Sequence, residues 1–180
     1  QHFHATGAAG GFWEMFIYGF LAVLPKIIVS YVVGLGIEFV VAQWKKEEIQ
    51  EGFLVSGILI PMIVPVDCPL WILAVATAFS VIFAKEVFGG TGMNVFNVAL
   101  ITRAFLFFAY PTKMSGDAVW VSGDSIFGLG QSVDGLTVAT PLGAAATSGA
   151  VPEFSWDMVT GLIPGSIGET SVIAIALGAI

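Results

Sequence analysis

Charged side chains are scarce in this sequence. Of its 180 residues, 11% are charged and 57% are hydrophobic, with 6 basic residues against 13 acidic ones. A soluble domain is about 25% charged, and a chain of this size has a large surface to cover relative to its volume. The composition therefore argues against a soluble enzyme domain and a disordered chain. The net charge of −7 argues against a nucleic-acid binder. A lipid bilayer is the remaining environment that fits this composition.

Cysteine and histidine are nearly absent. The single cysteine, Cys68, excludes an internal disulfide and a cysteine metal cluster. His2 and His4 have no third ligand near them in the sequence, so we expect no resident metal ion. Because the chain starts at Gln1 and ends inside an apolar run, we expect it to be a fragment of a longer protein.

Apolar blocks make up most of the chain, and a spanning helix needs about 20 such residues. The blocks are residues 16–43, 52–66, 69–84, 95–110 and 158–180. Proline and glycine interrupt several of them beside polar residues. Such breaks are tolerated in a bilayer where protein or a water-filled cavity satisfies the backbone. We predict an all-α, polytopic membrane bundle with broken or re-entrant helices; simple proline-kinked helices are the alternative.

The segment 111–157 is a long polar loop, rich in Gly, Ser, Thr and Asp. No Lys or Arg follows Lys113 in the sequence. Cytoplasmic loops are enriched in these two residues, so we expect this loop on the opposite side of the membrane.

Two charged positions stand out within the apolar blocks. Glu38 lies between Ile37 and Phe39, and a buried carboxylate is costly unless it is paired or protonated. It is a candidate stop for a cation or proton, and the alternative is a helix-end charge that reaches the interface. Lys85 and Glu86 close another apolar block, where we expect both side chains to reach water.

Two polar tracts offer candidate binding groups. In residues 89–97, Asn94 and Asn97 would share one face if the tract were helical, and their carboxamides suit the edge of a heterocycle. A helix cap with interhelical hydrogen bonding is the alternative. Thr140 precedes Pro141, which favours extended backbone and an exposed, modifiable hydroxyl. The alternative there is an ordinary loop threonine.

Four longer motifs carry a family resemblance. Residues 85–97, 103–111, 115–120 and 164–169 resemble the B subunit of the Na⁺-translocating NADH:quinone oxidoreductases. The D subunit of the Rnf complex is the related alternative. The resemblance covers nearly the whole chain and implies two five-helix repeats, similar to urea and ammonium channels. Residues 1–180 would hold about one repeat, as a multi-pass segment of the bacterial inner membrane.

The resemblance also implies two flavins. Residues 137–140 match the family motif Ser/Thr-x-Ala-Thr, in which FMN is joined through its phosphate to the last threonine, here Thr140. A separate flavin transferase makes that bond. Riboflavin is held without a covalent bond in the region that matches Gly90, Gly92, Asn94 and Asn97.

The ion and quinone regions follow from the same resemblance. Glu38 matches a glutamate associated with Na⁺ uptake, so the metal is a transient cargo ion. Gly34, Gly36 and Phe79 match the quinone and inhibitor region. A segment thought to constrict the cation path is matched by Val55, Ile58 and Met62.

The function implied is that of a flavin-carrying subunit. It passes electrons from NADH, which enter in other subunits, through FMN and riboflavin to quinone, and this transfer drives Na⁺ across the bilayer. Two rivals stay open: a passive solute or ion channel of the urea-channel type, and a structural anchor with no flavin. We expect the isolated fragment to be inactive.

Overall fold

The protein is described here by a computed structural model. It covers residues 2–3, 7, 10–48, 51–114, 121–122, 124, 126, 140–149 and 151–180. The chain divides into two compact units, residues 23–115 and residues 1–22 with 116–180. Over the described ranges every regular element is a helix, which agrees with the all-α prediction. The predicted repeat and the number of membrane passes stay predictions.

The longest helix, α1, spans Phe12–Lys45 and contains Pro25. Its 34 residues give a length of about 50 Å, more than the roughly 30 Å of a hydrocarbon core. α2, Phe53–Ile63, is too short to span and contains Pro61. Leu70–Phe88 is the second segment long and apolar enough to cross a membrane.

That second segment is not a uniform helix. It begins as α3, Leu70–Ser80, continues through a π-helical turn at Val81–Lys85, and ends in a 3₁₀ turn at Glu86–Phe88. A π turn widens the helix by one residue and changes which side chains face inward. Gly89 follows with a φ of 114°, a conformation suited to glycine, and ends the helical run.

α4, Val98–Ala109, completes the core of the unit formed by residues 23–115. Asn97 caps it, and the short helix α5, Pro111–Met114, follows. α3 and α4 share a hydrogen bond between the buried hydroxyls of Thr102 and Ser80, 2.8 Å apart. The fully buried core side chains include Phe53, Ile60, Val64, Leu73, Ala76, Val81 and Leu106.

In residues 140–149 and 151–180, the other unit contains three short helices. They are α6, Pro141–Ser148, α7, Asp157–Thr160, and α8, Val172–Gly178. The last apolar block, residues 158–180, is therefore broken as the sequence predicts. Gly161, at a φ of 89°, ends α7, and a Cβ there would lie 2.9 Å from the backbone of Ser171. This close approach requires glycine.

A glycine contact between α1 and α2 gives a first testable prediction. A Cβ added to Gly34 would overlap the ring of Phe53, which is fully buried. We expect Gly34→Ala to cost about 1–3 kcal/mol of stability through overpacking. The measurement is thermal unfolding of the purified protein in detergent.

Gly36→Ala is the matched control in the same helix. A Cβ at Gly36 meets nothing within 4 Å, so this change should be neutral or stabilise by up to about 1 kcal/mol. Equal melting temperatures for the two variants would contradict the close packing of α1 on Phe53.

Candidate functional site

A buried ion pair joins α1 to the π-helical turn that follows α3. The Nζ atom of Lys85 donates a hydrogen bond to Oε1 of Glu38, and the two side chains are only 5% and 4% exposed. Removing either partner of such a pair leaves an uncompensated buried charge. The helix-end alternative for Glu38 is therefore wrong, because its carboxylate does not reach water.

The expectation that Lys85 reaches water is also wrong. The helical run does not end at Lys85 but continues to Phe88, and the π turn places Val81, Ala84 and Lys85 on the buried side. Glu86 points to a different partner, Lys45, whose Nζ lies 3.3 Å from its Oε2. Adjacent charges thus enter two separate pairs, one buried and one at the surface.

The second oxygen of Glu38 faces a different environment. Its Oε2 atom is buried and has no hydrogen-bond partner among the described residues. Glu38 also lines a cavity of about 20 Å³. That volume holds about one water molecule or an ion of similar size. A half-satisfied carboxylate beside such a space is suited to binding a small cation.

The rest of this cavity is rich in carboxylates. It is lined by Ala42, Lys45, Glu47, Glu48, Glu86 and Gly90 in addition to Glu38. Glu47 and Glu48 are exposed just after the end of α1 at Lys45, which is seven residues beyond Glu38. At 1.5 Å per residue, Glu38 lies roughly 10 Å along the helix from that end. The acidic groups would concentrate cations at the approach to Glu38.

Two further cations, buried Lys26 and half-buried Arg103, satisfy backbone carbonyls near the end of α2. Lys26 donates to the carbonyl of Val66, and Arg103 donates to the carbonyl of Ile63. The last carbonyls of a helix lack partners within it and carry partial negative charge. Neither cation was assigned a role from the sequence, although isolated cations in apolar blocks are the signal that marks them.

The Gly-rich tract does not form the helix that would place its two asparagines on one face. Residues 89–97 precede α4, so Asn94 and Asn97 do not share a helix face. Asn97 is the N-cap: its Oδ1 accepts hydrogen bonds from the backbone N–H groups of Ala99 and Leu100. A glycine-led turn, with Gly90 and Gly92 at φ values of 94° and 88°, is incompatible with helix.

Asn94 makes local hydrogen bonds within the exposed tract. Its Oδ1 accepts from the backbone of Gly92 at 3.3 Å, and its Nδ2 donates to the carbonyl of Phe96 at 3.0 Å. Both carboxamide oxygens accept backbone N–H groups, and Nδ2 of Asn94 already donates once. The donors able to meet flavin acceptors are therefore the second N–H of Asn94 and the NH₂ group of Asn97. This fits a flavin edge only in part.

Thr140 is placed at the start of a helix. It has extended backbone, as the following proline predicts, and its Oγ1 accepts the backbone N–H of Gly143 at 3.0 Å as the N-cap of α6. The preceding motif residues, 137–139, the motif at 115–120 and His4 lie outside the described residues. A phosphate ester on this oxygen would sit at the positive end of the helix dipole, so the position fits FMN attachment.

The three residues of the predicted quinone region have different surroundings. Gly34 is buried against Phe53, while Gly36 is exposed on the same helix. Phe79 stacks on Phe105 of α4 with ring centroids 4.7 Å apart. It also lines an open apolar groove of about 450 Å³, which is formed by Phe79, Ile101, Ala104, Phe105, Phe108 and Ala109.

The three residues of the predicted constriction follow one stripe of α2. Val55, Ile58 and Met62 are three and four residues apart, which places them on one helix face. Val55 is 65% exposed, whereas Ile58 and Met62 are half-buried. The stripe is therefore only partly exposed within this chain.

The comparisons with known proteins agree on one family. The model of the NQR2, RnfD, RnfE family matches residues 6–180. The B subunit of the Na(+)-translocating NADH-quinone reductase of Chromohalobacter salexigens is 44% identical over 174 residues, or 94% of this chain and 40% of the relative. The same subunit of Ectopseudomonas mendocina is 43% identical over an alignment of 186 residues, or 98% of this chain and 44% of the relative.

The chain therefore spans about two-fifths of the length of these curated relatives. The family match covers almost all of the chain, and two of its helical segments are long and apolar enough to cross a membrane. It is a membrane protein, and it belongs to the NQR2, RnfD, RnfE family.

Proposed function

We propose that this chain is part of the flavin-carrying membrane subunit of a respiratory, Na⁺-pumping NADH:quinone oxidoreductase. The observation that carries the proposal is the buried Glu38 carboxylate. One of its oxygens has no hydrogen-bond partner among the described residues, and the side chain lines an ion-sized cavity. The names of the relatives support the same activity. Because the chain spans only part of those relatives, the rest of the subunit and the other subunits complete the enzyme, and this chain alone is inactive.

Glu38 is the proposed uptake site for Na⁺. The ion is a hard cation that prefers oxygen ligands, and the unpartnered Oε2 is such a ligand. Val55, Ile58 and Met62 form the proposed constriction further along the path. Their apolar, partly exposed stripe supports this role, since apolar side chains from the rest of the subunit can close against it.

Thr140 is the proposed attachment point for FMN. Its oxygen would form the bond to phosphorus in a transfer catalysed by a flavin transferase. The donor would be a flavin dinucleotide, whose P–O–P linkage breaks so that the nucleoside monophosphate leaves, and the hydroxyl proton would pass to solvent. The backbone N–H of Gly143, which now donates to this oxygen, would be left to a phosphate oxygen. Bound FMN supplies the redox chemistry; the chain supplies the position and a positive helix end.

The tract that contains buried Gly90 and exposed Gly92, Asn94 and Asn97 is the proposed riboflavin region. Glycine at these φ values lets the backbone approach a ring closely. The NH₂ groups of the two asparagines are suited to the carbonyl oxygens of a flavin. The exposed side chains of Met93, Val95 and Phe96 offer apolar surface to its ring system.

Gly34, Gly36 and Phe79 are the proposed quinone region. The groove beside Phe79 supports this, because its lining is almost wholly apolar and suits a hydrocarbon tail. Gly36, which has open space around it, leaves room for a ligand at the surface of α1.

The proposed architecture is one five-helix repeat of the urea- and ammonium-channel kind, crossing the bacterial inner membrane several times. The broken last block and the short α2 support it, as do exposed apolar side chains such as Trp44 and Phe108. The remaining part of the protein, partner subunits and lipid would cover these surfaces. The partners are those subunits, quinone, Na⁺ and the transferase; the proposal includes no nucleic acid.

Inverted membrane vesicles holding the complete complex test this function. We expect NADH oxidation to drive Na⁺ uptake against a gradient, and a quinone-site inhibitor to stop both processes. A passive channel gives a different result, in which Na⁺ or solute moves only down its gradient and independently of NADH. That outcome would replace the pump proposal with the channel.

A further inference from the structure

We propose that Lys85 is a tethered counter-cation that exchanges with Na⁺ at the Glu38 carboxylate. In the absence of Na⁺ its ammonium group neutralises Glu38, and it withdraws when the ion binds. Lys85 is thus a specificity-determining residue that sets the Na⁺ concentration at which the site fills. This inference rests on the proposed function, because it requires that Glu38 is a Na⁺ ligand.

The exchange begins at the Glu38 carboxylate, where one oxygen has a partner and the other does not. Lys85 engages Oε1 of Glu38, Oε2 is buried with no hydrogen-bond partner among the described residues, and the Glu38 side chain lines the cavity. A cation that enters the cavity would compete with the ammonium group for this carboxylate. Two cations on one buried carboxylate repel each other strongly, since little solvent screens them. Binding of Na⁺ therefore favours departure of Lys85.

The surroundings provide a place for the departing ammonium group. Glu47, Glu48 and Glu86 line the same cavity as Glu38. Together with Glu38, they give four carboxylates against the two ammonium groups of Lys45 and Lys85, which is an excess of two negative charges. An ammonium group that leaves Glu38 therefore stays among carboxylates. Lys85 also has a long, flexible stem with which to move.

The backbone at Lys85 is suited to movement. Lys85 is the last residue of the π turn and has φ and ψ of −122° and −62°, outside the regular helix. π turns within α-helices frequently mark functional sites. The carbonyl of Lys85 accepts the N–H of Gly90, which belongs to the Gly-rich tract, at 3.1 Å. A shift of the Lys85 backbone would therefore also move the beginning of that tract.

The test is a Na⁺ titration of NADH:quinone activity in vesicles that contain the complete complex. We expect Lys85→Met to lower the half-saturating Na⁺ concentration by about tenfold, because the wild-type site binds only from the fraction with Lys85 withdrawn. Lys85→Arg should raise it, since the guanidinium fork holds a carboxylate more firmly than an ammonium group. Flavin content and complex assembly are measured for each variant.

Lys113→Met is the matched comparison. It removes the same charge from an exposed side chain that does not line the cavity, and we expect a shift below about twofold because solvent and salt screen that charge. Glu38→Gln is titrated in parallel. If Glu38→Gln abolishes Na⁺ activation but neither Lys85 variant shifts the titration, Lys85 is only a structural partner and the exchange is overturned.

The remaining outcomes are also decisive. If Glu38→Gln keeps normal Na⁺ activation, Glu38 is not the ion site, so the Na⁺ assignment fails and the exchange fails with it. If Lys85→Met does not assemble, Lys85→Arg decides: a raised half-saturating concentration supports the exchange, and an unchanged one overturns it.

Discussion

Thr140→Val removes all flavin that is covalently bound to this chain. The valine side chain has nearly the same shape as threonine but has no hydroxyl, so no phosphoester can form. We expect no flavin fluorescence on the denatured subunit after gel separation. Electron transfer to quinone should fall to the background of the assay. The N-cap bond to Gly143 is also lost, at a cost of about 1 kcal/mol to α6, which does not prevent folding.

Thr147→Val is the control for that change. Thr147 lies in the same helix, is exposed, and uses its hydroxyl only locally, towards the carbonyls of Gly143 and Ala144. It should retain full flavin fluorescence and activity. If Thr140→Val retained the fluorescent band at wild-type strength, FMN would be attached elsewhere and the assignment would be wrong.

Glu38→Gln should suppress activation by Na⁺ while leaving both flavins in place. Glutamine keeps an oxygen that can accept the hydrogen bond of Lys85 but removes the charge that binds the ion. We expect the half-saturating Na⁺ concentration to rise at least tenfold, equivalent to about 1.4 kcal/mol of binding free energy. Glu38→Ala is a poorer variant, because it also strips Lys85 of its partner and so destabilises the protein.

Glu14→Gln is the matched control, with the same substitution near the opposite end of α1. Its Na⁺ titration should overlay that of the wild type. Covalent FMN and bound riboflavin are quantified in both variants, which separates ion binding from assembly. Identical titrations for the Glu38 and Glu14 variants would remove Glu38 from the Na⁺ path.

Helical regions could be predicted well from the sequence, since they depend on local composition. The block at 16–43 lies within Phe12–Lys45, the block at 95–110 contains Val98–Ala109, and the last block is broken near Gly161. Apolar runs and helix breakers act over a few residues, so a single sequence contains the necessary information.

Contacts between distant residues could not be predicted in this way. Glu38 and Lys85 are 47 positions apart, and nothing in either local sequence identifies the other. The π turn at Val81–Lys85 changes which residues face inward, and no pattern in that segment announces it. Lys85 was consequently expected at the surface, although it is buried in the site.

The condition under which Asn94 and Asn97 would share a helix face is not met, for a local reason. It required helical spacing across residues 94–97, but Asn97 is a strong N-cap residue and begins the helix instead of lying within it. The capping alternative describes Asn97 correctly. Thr140 is also an N-cap, and that signal, a threonine before proline at the first helical position, was readable in the sequence.

Peptide mass analysis of the mature, wild-type subunit tests the central claim most directly. The subunit is purified from a complete and active complex, digested, and the peptide containing Thr140 is sequenced by fragmentation. The account predicts that this peptide carries FMN on the Thr140 oxygen. An active complex whose Thr140 peptide is entirely unmodified would contradict it. That result would favour the passive channel or the structural anchor without flavin.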